Sequence, residues 1–192
     1  SANFDNIQNI VLILVESLGI INEDESMKKI FSPFFSDEIN KRYTINFSQI
    51  PFEGSTTSAE FRELCGMNMS YNNINNDFAS ECLPWLMKKK GFYTTSIHGF
   101  SRSMFDRYQW YPKLGFEQTL FAEEIFKKGY NKMCGGAFRG ICDSEIAKMI
   151  NQILINSHNN KKFIYWLTLN SHLPIDKESV NSDVFKCEED SL

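Results

Sequence analysis

The segment "NIVLILVES", residues 9–17, decides the fold class that the sequence predicts. It is an unbroken apolar run of Ile, Val and Leu that ends abruptly at the carboxylate of Glu16. Such a run is typical of a strand that is buried on both faces, as in a parallel sheet covered by helices. We therefore expect the first strand of an α/β sheet here, with Glu16 at the rim of that sheet.

Strands and helices alternate along the rest of the chain. Further strands are predicted in "YTINFSQI" (43–50), "FYTTSIH" (92–98), residues 116–121 and "KKFIYWLTLN" (161–170). Helices are predicted over residues 57–67, 79–90, 103–111 and 143–156, and in shorter pieces around Pro33. This alternation predicts a single α/β domain with a mostly parallel sheet.

Composition and charge exclude some functions. The 192 residues are 42% hydrophobic and 14% aromatic, which is enough to bury a core. The net charge is −4, and we expect no nucleic-acid partner, because phosphate binding requires clustered Lys and Arg. No apolar stretch approaches the ~20 residues that cross a bilayer.

Five cysteines occur in the chain, at positions 65, 82, 134, 142 and 187. Cys134 and Cys142 bracket the glycine-rich "CGGAFRGIC", and we expect them to form a disulfide in an oxidising compartment. Cys65 and Cys82 are a second candidate pair, which leaves Cys187 unpaired. Zinc binding is the alternative, but the spacings contain no CxxC pair.

Three predicted strand ends carry polar side chains: Glu16, His98 and His172. In open α/β sheets the ligand crevice lies outside the carboxyl ends of the strands. A carboxylate at such an edge is either paired, for example as a helix-cap partner, or a ligand for a hard cation. The three residues together predict a functional site at this edge.

The stretch "PFEGSTTSAEFRELCG", residues 51–66, places two threonines at a predicted helix start. A hydroxyl there can simply cap the helix. It can also attack a phosphate or sulfate centre, because the helix N-terminus stabilises anions and a bound cation lowers the hydroxyl pKa. Both interpretations apply to Thr56 and Thr57.

Four motifs together resemble one known family. "NIVLILVESLG", "GSTTSAEF", "IHGFSRSMFDR" and "LTLNSHLPI" occur in the order and at the spacings of the lipoteichoic acid synthase-like branch of the alkaline phosphatase/sulfatase superfamily. That branch includes glycerol phosphate polymerases and phosphoglycerol transferases, with phosphoethanolamine transferases as more distant relatives. The resemblance implies a three-layer α/β/α domain.

The resemblance also implies a nucleophile and a metal site. Glu16 looks like the metal-binding glutamate at the end of the first strand. The family's nucleophilic threonine, which is also a metal ligand, lies four residues before a Glu-Phe pair, and this position is Thr56. Thr57 is the alternative if the register is shifted by one residue. The implied cofactor is a divalent metal ion, Mn, Mg or Zn.

The remaining family positions concern the substrate. His98 and Arg107 resemble the His and Arg that hold the phosphate and head group. Phe105 stands where some relatives have Trp, and His172 resembles a further substrate-site histidine. An Arg side chain suits a phosphate because its planar fork makes paired, charge-assisted bonds.

The chain also departs from the family pattern. The family completes its metal site with a Gly-Asp-His stretch and a later His, and neither follows "SHLP" here. We therefore expect residues 4–192 to be the N-terminal portion of the catalytic domain, truncated at the C-terminus, with residues 1–3 left from a tag. With only two protein ligands, this portion alone is expected to show little turnover.

The resulting functional hypothesis is a metal-dependent transfer reaction. A phosphoglycerol or phosphoethanolamine group would pass from a lipid donor, through a threonine-linked intermediate, to an envelope glycan or lipid. The site would lie on the extracytoplasmic face of a bacterial inner membrane, held there by segments outside this chain. The alternatives are a hydrolase of phosphate or sulfate esters, although the sulfatase motif C/S-x-P-x-R is absent, and a catalytically incompetent domain that keeps only the fold.

Overall fold

The computed structural model describes residues 6–19, 25–74, 79–136, 138–156 and 160–174. The expected tag residues 1–3 and Cys187 lie outside these ranges. The chain divides into two compact units, one formed by Ser1–Ser17 and Ser55–Leu192 and the other by Leu18–Gly54.

A four-stranded parallel sheet is the centre of the first unit. Its order is β1 (Asn9–Leu14), β6 (Lys162–Leu167), β2 (Tyr93–His98) and β3 (Gln118–Leu120). The register aligns Leu14, Leu167 and His98 at the carboxyl ends of three neighbouring strands. The predicted parallel α/β fold is therefore confirmed.

Strand β6 is buried along its whole length, which explains its continuous apolar sequence. Phe163, Tyr165 and Leu167 belong to one hydrophobic cluster, whereas Ile164 and Trp166 belong to a second. Successive side chains of a strand point to opposite faces, so the two clusters lie on the two sides of the sheet.

Helices cover both faces. The helices of this unit are α3 (Thr56–Cys65), α4 (Leu83–Lys89), α5 (Arg107–Trp110), α6 (Ala122–Lys127) and α7 (Asp143–Ile155). The first cluster takes apolar side chains from α3, α4 and α5, and the second takes them from α6 and α7. Helix, sheet and helix form the three layers that the sequence predicts. In the described part of the chain, no helix is long and apolar enough to cross a bilayer.

Strand β1 differs from its prediction, because it is not buried on both faces. Ile10, Leu12 and Leu14 pack against the first cluster, while Val11 and Ile13 are 38% and 47% exposed. The reason is position: within the described residues β1 pairs with β6 alone and forms an edge of the sheet. The apolar composition identified a strand but not its place in the sheet.

The second unit contains α1 (Glu25–Phe31), a 3₁₀ turn (Ser32–Phe35) and α2 (Asp37–Asn40). The predicted strand over residues 43–50 is wrong, since this segment has no regular secondary structure. Its alternating pattern instead places Phe47 edge-on against the rings of Phe31 and Phe35. Alternation therefore does not produce a strand here, because no backbone pairs with the segment among the described residues.

The first unit also contains a short β-hairpin and two disulfide bonds. A hairpin that the sequence did not predict pairs β4 (Met133–Cys134) with β5 (Gly140–Ile141). Disulfides join Cys134 to Cys142 and Cys65 to Cys82, the two pairs that the sequence suggested. The first ties the hairpin to the start of α7, and the second ties the end of α3 to the start of α4.

We expect removal of the Cys65–Cys82 bond by the double change to Ser to lower the free energy of unfolding. The bond closes a loop with a sequence separation of 17, and loops of this length contribute about 3 kcal/mol. Urea denaturation of the oxidised protein and the double variant measures the difference. Mass mapping under non-reducing conditions checks both pairings, and free thiols at Cys65 and Cys82, or at Cys134 and Cys142, would contradict the corresponding pair.

Candidate active site

The site begins with the hydrogen bond between Thr56 and Glu16. Glu16 follows β1 and is 8% exposed, and its backbone N–H donates to Thr168 Oγ1 at 3.0 Å. Its carboxylate Oε1 accepts a hydrogen bond of 2.7 Å from the Thr56 hydroxyl. A rim carboxylate and a hydroxyl at a helix start, 40 positions apart in the chain, are thus in direct contact.

The start of α3 distinguishes the two threonines. Ser55 is the N-cap residue, and its side chain accepts from the Ser58 N–H, so Thr56 is not needed as a cap. The Thr57 hydroxyl is hydrogen bonded to Ser55 Oγ at 3.0 Å, and the Thr57 residue is buried. Of the pair, Thr56 presents its hydroxyl to the Glu16 carboxylate.

His172 lies near the same carboxylate. Its Nε2 is 3.9 Å from Glu16 Oε1, while its Nδ1 lies 2.6 Å from the Leu173 carbonyl oxygen. The neighbouring Ser171 hydroxyl donates to the backbone carbonyl of Glu16. The ring of Phe138, from the β4–β5 hairpin, meets the His172 ring with centroids 4.2 Å apart. The segment after β6 is therefore held on both sides.

Asp143 supports that segment in a way the sequence did not suggest. It is the first residue of α7, and its carboxylate accepts from the backbone N–H groups of Leu169 and Asn170 at 2.7–3.1 Å. Burial raises the pKa of Asp143, the two backbone bonds act against this, and Glu16 contributes to the rise. Asp143 thus holds the chain that leads to His172.

His98 is held at the end of β2 in a neutral form. Its ring is buried, and Nδ1 donates to the Leu167 carbonyl at 3.1 Å, because a carbonyl can only accept. Burial, followed by the positive charge of Arg107, lowers the pKa of His98 from 6.5 to about 3, and the Leu167 bond opposes this. The ring therefore presents Nε2 as an acceptor at neutral pH.

Gly99 allows the hairpin to approach His98. The Ile141 N–H donates to the Gly99 carbonyl at 2.7 Å, and a Cβ built on Gly99 would lie 2.6 Å from the Ile141 carbonyl oxygen. Only a residue without a side chain fits this backbone contact. The Gly in the "HG" motif is thus explained by packing.

Arg107 lies in the core, paired with a carboxylate. Glu60 is fully buried, and its Oε2 accepts from Arg107 Nε at 3.0 Å and from Nη2 at 2.8 Å. The hydroxyls of Tyr111 and Tyr165 donate to Glu60 Oε1. Burial alone would lower the pKa of Arg107, but the Glu60 charge raises it above its ordinary value. Its predicted contact with a substrate phosphate stays a prediction.

Phe105 covers the Arg107 guanidinium from one face. The ring centroid is 5.1 Å from Arg107 Cζ, and the Phe105 ring is also edge-on to Tyr71. Phe105 and Asp106 both have positive φ, 53° and 52°, which is uncommon for residues with side chains. The exposed Phe105 ring thus lies over the Arg107 guanidinium, the group that is predicted to bind the substrate phosphate.

The structure therefore brings together Glu16, Thr56 and His172, and it places His98 at the same edge of the sheet. Arg107 is joined to this group through Glu60, which lies one turn after Thr56 on α3. The sequence did not indicate that Glu60, Phe138 and Asp143 support the site. A charged residue on the buried face of α3 was the available signal for Glu60, but its partners are 47 to 105 positions away.

The donor chemistry at Glu16 and Thr56 fits part of a hard-cation site. A carboxylate oxygen and a hydroxyl oxygen 2.7 Å apart are the kinds of ligand that Mg²⁺ and Mn²⁺ prefer. Among the described residues, no group of three His, Cys, Asp or Glu side chains is arranged to hold a metal ion. Within the described residues, Thr56 Oγ1 and Glu16 Oε1 are thus two oxygen atoms that lie together at this edge.

A family model described as Sulfatase matches residues 8–189. The chain belongs to the sulfatase family. Members of its superfamily, the alkaline phosphatases and their relatives, typically bind divalent metals. A search of curated proteins finds no match.

Two solved structures share the fold of this sulfatase-family chain. The lipoteichoic acid synthase LtaP from Listeria monocytogenes is 23% identical, with a TM-score of 0.52, over 66% of this chain and 31% of its own. The Streptococcus pyogenes phosphoglycerol transferase GacH, solved with sn-glycerol-1-phosphate, is 18% identical, with a TM-score of 0.53, over 93% of this chain and 48% of its own. The chain spans about a third to a half of the length of these proteins. The resemblance to the lipoteichoic acid synthase-like branch is confirmed at the level of the fold.

We expect acid to destabilise the protein through His98. Below pH 6.5 the unfolded chain binds a proton at this position that the folded protein, with a pKa of about 3, does not bind. Stability is therefore lost as pH falls from 6.5 toward 3. Between pH 7 and pH 5 the wild type should lose about 2 kcal/mol more than His98→Asn, which keeps a donor for the Leu167 carbonyl. Urea denaturation at both pH values measures this, and equal losses in the two proteins would contradict the buried, neutral ring.

Proposed function

We propose that this chain carries the nucleophile side of a phosphotransferase site, with Thr56 as the attacking residue. The observation that carries the proposal is the 2.7 Å hydrogen bond from the Thr56 hydroxyl to the buried Glu16 carboxylate, at the first residue of α3. The free backbone N–H groups of the helix start favour the anionic group that is transferred.

The proposed reaction moves a phosphoglycerol or phosphoethanolamine group. Thr56 Oγ1 forms a bond to phosphorus while the bond from phosphorus to the alcohol oxygen of the lipid donor breaks. Before the reaction, the hydroxyl proton of Thr56 lies in the hydrogen bond to Glu16 Oε1. The leaving alcohol must gain a proton. His172 is the candidate carrier, since its Nε2 is 3.9 Å from the same Glu16 oxygen. A hydroxyl of an envelope glycan or lipid then displaces Thr56 by the reverse sequence of bonds.

The other side chains hold the substrate. His98, neutral with its Nδ1 bound to Leu167, can accept a hydrogen bond from a substrate hydroxyl but cannot act as an acid near pH 7. Arg107 and Phe105 bind the phosphate and the head group. A divalent cation held by Glu16 and Thr56, and by ligands beyond these two, would lower the hydroxyl pKa and stabilise charge on the phosphoryl oxygens.

Two findings support the substrate class and the location. LtaP is a lipoteichoic acid synthase and GacH a phosphoglycerol transferase that was solved with sn-glycerol-1-phosphate, and both share this fold. Two disulfides favour an oxidising compartment, which suits the extracytoplasmic face of a bacterial membrane.

The second candidate is hydrolysis of a phosphate or sulfate ester by the same nucleophile. The family model, described as Sulfatase, favours it. Product analysis with and without an alcohol acceptor separates the two, because a transferase forms the new ester and a hydrolase releases the free group in both cases.

We expect Thr56→Ala to remove the covalent step and to lower transfer by about 1,000-fold or more. The assay follows release of diacylglycerol from a phosphoglycerol lipid, in whichever of this chain and a longer natural version of it shows measurable turnover, because this portion alone is expected to show little. Thr57→Ala is the matched control and should stay within a few-fold of wild type, since its hydroxyl is bound to Ser55. Loss of activity in Thr57→Ala alone would shift the nucleophile by one residue, and activity in both variants would exclude the mechanism.

We expect turnover to require a divalent metal. Treatment with a chelator should abolish it, and Mn²⁺, Mg²⁺ or Zn²⁺ should restore it. Glu16→Gln keeps the shape but removes the charge, so the metal concentration for half-maximal rate should rise by about tenfold or more. Glu63→Gln on α3 is the matched control. Full activity in the chelator would overturn the metal requirement.

A further inference from the structure

The buried carboxylate of Glu60 connects three separate elements. It lies on α3, its bonding partners Arg107 and Tyr111 lie in and directly after α5, and Tyr165 lies on β6. Arg107 and Glu60 are only 2% and 0% exposed. A buried ion pair is a poor way to stabilise a core, because desolvation offsets most of the attraction. The Glu60–Arg107 pair is therefore a candidate for a role other than stability.

The described residues use only part of the hydrogen-bonding capacity of the Arg107 guanidinium, which is almost wholly buried. The Nε and Nη2 groups face Glu60, while Nη1 makes only a long contact of 3.5 Å with the Met104 carbonyl. A guanidinium has five N–H donors, and the Nη1–Nη2 edge therefore retains donors beyond those that the described residues use. Two parallel N–H groups on one edge match the oxygen atoms of a phosphate.

Glu60 also links the position of this Arg107 edge to the position of Thr56. The two residues are four positions apart on α3, which places them on one face of the helix about one turn apart. The helix that begins with the candidate nucleophile thus carries the carboxylate that holds the candidate phosphate-binding arginine. Phe105 lies over the guanidinium and restricts its plane.

We propose that Glu60 is a positioning residue that fixes the orientation of Arg107, so that its Nη1–Nη2 edge binds the phosphate oxygens of the substrate. This inference rests on the proposed function, since it assumes that the site receives a phosphate. Glu60 itself touches no substrate. It acts by occupying one edge of the fork and thereby directing the other.

The test uses NMR of the whole chain, with inorganic phosphate and glycerol phosphate as probes. The Arg107 Nε–Hε signal reports the bond to Glu60, and its shift on titration reports phosphate binding. The decisive variant is Glu60→Asp, which keeps the charge but withdraws the carboxylate by one methylene. Arg107→Lys keeps the charge and removes the fork, and Glu63→Gln is the matched change on the same helix.

In the wild type we expect a slowly exchanging Arg107 Nε–Hε signal that shifts saturably with both probes. Glu60→Asp should broaden that signal and raise the apparent Kd for phosphate about tenfold, as Arg107→Lys should, while the double variant is no weaker than either. Glu63→Gln should leave both readouts unchanged. If Glu60→Asp does not unfold cooperatively, Tyr165→Phe, which removes one donor to Glu60, should still raise the Kd about threefold.

Two outcomes would overturn the proposal. One is a folded Glu60→Asp protein with an unchanged Arg107 signal and unchanged phosphate affinity, which makes the ion pair purely structural. The other is a wild-type Arg107 signal that does not respond to either probe. Failure of the Thr56 mechanism is separate, because phosphate binding at Arg107 is measured without any transfer.

Discussion

The burial of a charge at Glu60 is the constraint on which the first unit depends. A carboxylate in the core is tolerated only when every lone pair is matched, and the matching donors come from Arg107, Tyr111 and Tyr165. These donors come from α5, from the residue that follows it and from β6, so they fix α3 against both elements. The N-terminus of α3 is therefore set relative to the strand ends, which is what brings Thr56 to Glu16.

The parallel sheet is the second feature that brings the candidate site residues together. Because all four strands run in one direction, their carboxyl ends meet at one edge. His98 ends β2, while Glu16 and His172 follow its neighbours β1 and β6 in the adjacent part of the sheet. Each is then fixed by contacts that the strands alone do not supply. Thr168 binds the backbone of Glu16, Leu167 binds the ring of His98, and Phe138 packs against His172.

This arrangement divides the chemical roles among similar side chains. Burial beside a positive charge keeps His98 neutral, so its Nε2 is an acceptor, whereas His172 lies beside the Glu16 carboxylate. Membership in the sulfatase family and the fold shared with LtaP and GacH are compatible with several esters. In the proposed mechanism the chemistry depends on these side chains rather than on the fold.

The sequence by itself determined the α/β class and the strands at both apolar runs, and it suggested the two disulfide pairs and the site candidates Glu16, Thr56, His98, Arg107 and His172. These features are local, or they follow from periodicity and from motifs in a set order. It could not place β1 at an edge, exclude a strand over residues 43–50, or find the β4–β5 hairpin, since each depends on which segments lie side by side. It also could not show that the Asp143 carboxylate accepts from the Leu169 N–H, or that Arg107 is paired with Glu60. Only the tertiary structure decided these partners, because a buried polar group bonds to whatever donor packing brings within reach, at any distance along the chain.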